Sequence, residues 1–221
     1  TRPELMQRLV IINSPHPQTF WRELRQNPAQ QAASAYMNFL VRPDAEALLA
    51  ENDFARLWPF FDLMGANGAA AQQQAATALS DDAIGPGDAA QALALPDGAG
   101  WMTDALRAQY RAVWTGDGSR PGAGLTGGLN YYRASPLRPA REGDAAAAGV
   151  ELPPEAFTVK LPTLVLWAMQ DSALLPELVS GLERTVPQMQ LERIERATHW
   201  VVHEQPARVA ASIQRFLGDD Q

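Results

Sequence analysis

Asp171 and His199 are the residues best placed to do chemistry in this 221-residue chain, which holds three histidines and no cysteine. Each lies just beyond an apolar run, Asp171 after Leu164-Val165-Leu166-Trp167 and His199 after Met189 to Ile194. In open parallel sheets, reactive groups collect beyond the carboxyl ends of strands. A carboxylate that accepts the Nδ1–H of an imidazole fixes its tautomer and leaves Nε2 as a general base. Such a pair still needs a nucleophile, and without cysteine a thiol is excluded. Each residue also has a structural reading. Asp171-Ser172 suits the cap of a helix starting at Leu174, and His199 beside Trp200 suits a satisfied core histidine. The order acid then histidine, both at strand ends, with room for a nucleophile further upstream, brings the two readings level. His16, in Ser14-Pro15-His16-Pro17, reads as a turn residue. No metal site is expected, because His199 and His203 follow a strand with no third ligand nearby.

The elements that must position these groups are readable from hydrophobic period. Leu9-Val10-Ile11-Ile12 is a continuous apolar run, expected as a strand buried on both faces and stopped by Asn13, Ser14, Pro15 and Pro17. A buried strand so near residue 1 needs neighbours, so the chain is expected to begin in mid-domain. Residues 18–63 read as short helices broken at Pro28 and Pro43, since the residue before proline avoids the α region. Residues 65–100 are rich in alanine, glycine and glutamine and read as a low-complexity insertion. Helices are expected over Trp101 to Trp114 and around Leu125 to Ala134, then a linker over 136–160. The last quarter reads strand (Leu164 to Trp167), helix (Leu174 to Val186), strand (Met189 to Ile194), helix (Pro206 to Leu217). That alternation indicates a parallel, doubly wound sheet with the helical middle as an excursion from it.

Charge narrows the partners. With 25 acidic against 18 basic side chains, a net −7, attraction to a polyphosphate backbone is poor, so no nucleic-acid partner is expected. No window reaches the length of a membrane span and the first residues do not form a secretory leader, so a cytoplasmic location is expected. Oligomeric state is not legible.

The tail from Leu161 to Val209 resembles the epoxide hydrolase and haloalkane dehalogenase branch of the α/β hydrolases. That branch has a strand, then D-x-x-L-x-P, a second strand, and G-H-W with an acidic or polar residue before Pro. Asp171, Leu174 and Pro176 match, as do His199 and Trp200, while Thr198 stands where the branch usually has Gly. The opening Leu9 to Pro17 resembles the strand that leads from the nucleophile helix into the lid. Epoxide hydrolases carry two lid tyrosines that bind the epoxide oxygen, the first in a Y-x-x-x-F-like segment before a Pro and the second in L-N-W-Y-R. Tyr36-Met37-Asn38-Phe39, with Pro43 following, and Leu129-Asn130-Tyr131-Tyr132-Arg133 are similar, which implies those roles for Tyr36 and Tyr132.

What the resemblance implies is an α/β-hydrolase fold fragment: a core segment 1–17, a helical cap 18–135, a linker 136–160 and a core segment 161–221. It implies a small apolar epoxide as substrate, no cofactor, and a nucleophile upstream of this chain, which alone would be inactive. Phe20, Trp21, Phe39 and Trp200 are candidate pocket residues, with core packing the simpler reading of each. A dehalogenase, a carboxylic ester hydrolase or a non-catalytic ligand-binding relative stays open, because fold does not determine chemistry.

Overall fold

The computed structural model describes residues 5–66, 71, 74, 100–140 and 153–218. The insertion expected at 65–100 and the linker segment 141–152 therefore lie almost wholly outside the described residues.

Three parallel strands form one sheet in the order β1 (Leu9–Ile12), β2 (Thr163–Ala168), β3 (Met189–Ile194). Leu9 pairs with Thr163 and Ile12 with Leu166; on the other side Thr163 pairs with Met189 and Ala168 with Ile194. β2 is central and wholly buried, and its alternation feeds two cores. Val165 and Trp167 face Phe20, Leu24, Leu178 and Val186; Leu164, Leu166 and Ala168 face Ile194, Val201, Val209 and Phe216. β1 is half-buried instead of buried on both faces. Among the described residues it is an edge strand, and Leu9 and Ile11 border a hollow of about 550 Å³ that also reaches Val165, Leu182 and Val186.

Between β1 and β2 run α1 (Pro17–Gln26), α2 (Pro28–Ala33), α3 (Tyr36–Leu40), α4 (Ala45–Phe54), α5 (Leu57–Leu63), α6 (Asp104–Thr115), α7 (Thr126–Ala134) and the short α8 (Pro154–Phe157). Asn27 ends α1 and caps α2, its side-chain oxygen accepting from the N–H groups of Ala29 and Gln30, as the Asn27-Pro28 step predicts. Phe39, Leu49, Phe54, Trp58, Met102, Trp114 and Leu129 form a separate lid core. α6 starts later than expected because Thr103, not Trp101, supplies the capping hydroxyl, to the Leu106 N–H. After β3 come α9 (Val201–Glu204) and α10 (Pro206–Gly218).

One expected element is absent. Leu174 to Val186 is not an α-helix but two 3₁₀ turns, Pro176–Val179 and Leu182–Arg184, separated by left-handed Gly181 (φ 77°). Pro176 drives Leu175 into extended backbone (ψ 155°), so no helix can propagate from Leu174.

Within the lid, Glu46 is 4% exposed and both its oxygens meet the Arg133 guanidinium at 2.7 Å. That fork ties α4 to α7 and, opposed by burial, holds the Glu46 carboxyl at about 2. Because the folded value lies below the ordinary 4.5, the stabilisation is complete above about pH 4.5 and fades as pH falls toward 2. The lid should therefore loosen over that window, read by its tryptophan fluorescence, and Glu46→Gln should remove the acid limb of the transition.

Candidate active site

Asp171 and His199 meet. His199 Nδ1 lies 2.8 Å from Asp171 Oδ2. The carboxylate is fully buried, while the imidazole keeps 27% side-chain exposure. Opposite a carboxylate, Nδ1 carries the proton and donates it, which leaves Nε2 with its lone pair. The capping reading of Asp171 holds at the same time. Its Oδ1 accepts from Ala173 N at 2.8 Å and Leu174 N at 2.9 Å, so one oxygen shapes the turn and the other orients the ring.

The strand ends are stitched together by a residue that the sequence reading treats only as a strand stop. Asn13, at the end of β1, donates through Nδ2 to Asp171 Oδ2 (3.3 Å) and to the carbonyls of Thr198 (3.2 Å) and His199 (3.4 Å). Its Oδ1 accepts from Ala168 N at 2.7 Å. Asn13 has φ 42°, a conformation asparagine tolerates better than most residues. An Asn directly after a buried strand is the signal that could have marked it. Gln30, fully buried on α2, is a second such residue: Nε2 donates to Ala173 O at 2.8 Å and Oε1 accepts from Leu175 N at 3.0 Å. It braces the acid turn from outside, and nothing local in the sequence distinguishes it.

The lid reaches the pair through the end of α5. Trp200 stacks on Phe61 (centroids 5.0 Å, planes 5° apart), and its indole N–H donates to Phe61 O at 3.2 Å. Ser172 Oγ donates to Leu63 O at 3.2 Å. Tyr36, Tyr132, Phe60 and Trp200 pack against both the lid core and the sheet core, so they occupy the seam between the two. The rings of Tyr36 and Tyr132 meet edge to face with their centroids 6.1 Å apart. Burial first, then the neighbouring phenol and Asp171, raises the Tyr36 hydroxyl well above its ordinary value, and burial raises Tyr132. Both stay protonated, hence able to donate, at any ordinary pH.

The other sequence candidates are dispersed. Phe20 packs under the sheet with Leu24 and Val165, and Phe39 packs in the lid core. The Trp21 ring carries the Arg25 guanidinium 5.6 Å from its centroid. Of the four pocket candidates, Trp200 alone adjoins the pair. His16 caps α1 and donates through Nε2 to Phe157 O at 2.8 Å, its Nδ1 accepting from Gln18 N, in keeping with a turn role. Among the described residues no group of three or more His, Asp or Glu side chains could hold a metal ion, and no helix is long and apolar enough to cross a membrane.

A parallel sheet with a helical excursion over its carboxyl edge, and an acid and a histidine at successive strand ends, defines part of an α/β-hydrolase fold. No family model matches the chain. It is 31% identical over 218 residues to the AB hydrolase superfamily protein YfhM of Bacillus subtilis (strain 168), covering 98% of this chain and 59% of that one. It is 27% identical over 220 residues to epoxide hydrolase 4 of Homo sapiens, covering 99% of this chain and 48% of that one. Among solved structures it superimposes on a Bacillus megaterium epoxide hydrolase in complex with an inhibitor, with TM-score 0.66, 24% identity and coverage of 98% and 62%. A second match, at TM-score 0.64, 27% identity and coverage of 96% and 59%, is to epoxide hydrolases of the α/beta hydrolases superfamily from metagenomes of hot environments. The chain thus has part of the α/β-hydrolase fold, is similar to proteins of that superfamily and of its epoxide hydrolase branch, and spans about half to three-fifths of the curated relatives it matches.

For His199, burial disfavours the charged ring, but the charge and hydrogen bond of Asp171, joined by Glu204, outweigh it and raise the ring above 6.5. A raised folded value means stabilisation that is complete below about pH 6.5 and lost as pH rises through the higher value. Asp171→Asn should abolish that dependence and lower the titration of His199, followed by imidazole NMR. An amide that keeps its oxygen on the Ala173 and Leu174 N–H groups also turns its NH₂ toward Nδ1, forcing the ring proton to Nε2.

Proposed function

We propose that this chain is the lid and the acid–histidine part of an epoxide hydrolase acting on a small apolar epoxide in the cytoplasm, with the nucleophile supplied by sequence upstream of Thr1. The observation that carries the reading is the pair of adjoining phenols, Tyr36 and Tyr132, at the seam between lid and sheet, where the charge of Asp171 reaches Tyr36.

An aspartate carboxylate attacks one epoxide carbon, the ring C–O bond breaks, and its electron pair moves onto the ring oxygen. That developing alkoxide is far more basic than a halide or a carboxylate, so neutral phenols suit it: both hydrogen-bond to it and one delivers a proton. The covalent ester is then attacked at its carbonyl by a water that His199 Nε2 deprotonates, while Asp171 stabilises the imidazolium. The tetrahedral intermediate collapses, the departing diol oxygen takes the imidazolium proton, and the carboxylic acid so formed returns its proton to the tyrosinate, which restores carboxylate and phenol with no cofactor taking part. Halide release would be served by free N–H donors. The Trp200 indole, which adjoins His199, is already committed to Phe61 O.

In a polypeptide extended to include the upstream segment, Tyr36→Phe or Tyr132→Phe should slow single-turnover alkylation by about 10²-fold or more, as loss of a transition-state donor does. Hydrolysis of the preformed ester should change far less. Alkylation unaltered in both variants would sink the assignment, and a serine at the upstream elbow would redirect it to carboxylic esters.

A further inference from the structure

We propose that Glu204 is a positioning residue for His199, acting through Thr198, so that the seat of the base and the seat of the lid form one unit. The inference rests on the reading of His199 as the base.

Thr198 immediately precedes the histidine and is 1% exposed. Every polar group it has is engaged. Its N–H donates to Glu204 Oε2 at 2.8 Å, and its hydroxyl donates to Glu204 Oε1. The same hydroxyl oxygen accepts from Trp200 N at 3.3 Å, and the Thr198 carbonyl accepts from Asn13 Nδ2 at 3.2 Å and Val201 N at 3.2 Å. A single carboxylate therefore closes the loop 198–204 on itself by gripping its first residue from its last helical one. With the Thr198 peptide held in this way, the Cα of His199 is fixed in space. The imidazole keeps only its two side-chain torsions, which the Asp171 hydrogen bond then determines.

The opposite flank of Thr198 touches the lid. At Gly65 the backbone is left-handed (φ 101°), and a Cβ there would lie 2.7 Å from Thr198 Cγ2. The lid backbone at the end of α5 thus rests directly on the threonine that Glu204 clamps. Beside it, the Trp200 indole and the Ser172 hydroxyl bond to Phe61 O and Leu63 O. A shift of Thr198 would move the base and the lid together. Glu204 touches neither substrate nor reacting atoms; its second effect is through space, adding its negative charge to that of Asp171 on the His199 ring.

The two effects separate by substitution. In Glu204→Gln the amide oxygen can accept from Thr198 N and the NH₂ can donate to Thr198 Oγ1, so geometry persists while the charge is lost. The expected result in this chain is a fall in the His199 titration midpoint of about half a pH unit. The Nδ1–H resonance should be retained, with little change in melting temperature. Glu204→Ala removes the grip as well, and the His199 Nδ1–H resonance should broaden or vanish. In the extended enzyme, Glu204→Ala should slow hydrolysis of the ester intermediate by about 10-fold to 10²-fold and alkylation to a smaller extent, and Glu204→Gln should recover most of that loss. If Glu204→Ala does not fold, Thr198→Val, which keeps the shape and removes the hydroxyl, reads the same resonance and should also broaden it. A His199 resonance and titration unchanged in Glu204→Gln and in whichever of the other two variants folds would overturn the proposal. Absence of turnover with epoxides would instead count against the proposed function, since the histidine measurements do not depend on the reaction.

Discussion

A carboxylate without solvent must be met by donors on both oxygens, or the cost of its burial unmakes the site that holds it. Asp171 meets that condition with donors drawn from separate parts of the chain: two N–H groups of its own turn, the His199 ring, and the Asn13 amide. These groups sit at the ends of three strands, so satisfying one buried charge brings three strand ends into register. Asn13 extends the arrangement by also accepting from Ala168 N and donating to the histidine loop. The order of the sheet and the geometry of the base are in this sense the same fact. β2 lies between β1 and β3, so its turn can be reached from both sides.

The seam between lid and sheet follows from the same economy of polar groups. The end of α5 offers carbonyls at Phe61 and Leu63, and the core answers with an indole N–H and a serine hydroxyl from the two loops that carry His199 and Asp171. Thr198 occupies the position where the resembled branch usually has glycine. Its side chain is accommodated because Glu204 takes the hydroxyl and Gly65 leaves room for the methyl. The tyrosines stand along this seam, where each ring packs against both cores and the two rings meet edge to face. Inside the lid, the fork of Arg133 on buried Glu46 sets α7 on α4. The residue adjacent to Arg133 is Tyr132, so the ion pair also helps decide where that phenol points.

How much of this was legible beforehand depended on how far apart the interacting groups are along the chain. The three strands, the helical breaks at Pro28 and Pro43, the closing helix and the acid–histidine order were readable from the sequence, because apolar runs, proline and capping residues act over a few neighbours. The local rules failed over Leu174 to Val186. There an apolar pattern suggests a helix, while Pro176 and Gly181 impose extended and left-handed backbone. β1 is half-buried because, among the described residues, β2 alone pairs with it.

Apart from Leu174 to Val186, the sequence by itself determined the element types, and with them the candidates Asp171 and His199 and, by resemblance, Tyr36 and Tyr132. Tertiary structure alone decided which polar residues serve them. Asn13 reaches Asp171 across 158 positions and Gln30 reaches Leu175 across 145, whereas Asn, Gln, Glu and Thr are common at turns and helix surfaces everywhere. A hydrogen bond needs its two atoms within about 3 Å and aligned, and no local pattern of residue types encodes that distance between segments so remote. Only the burial of the sheet, which drives the three strand ends together, converts those ordinary side chains into the support of the Asp171–His199 pair.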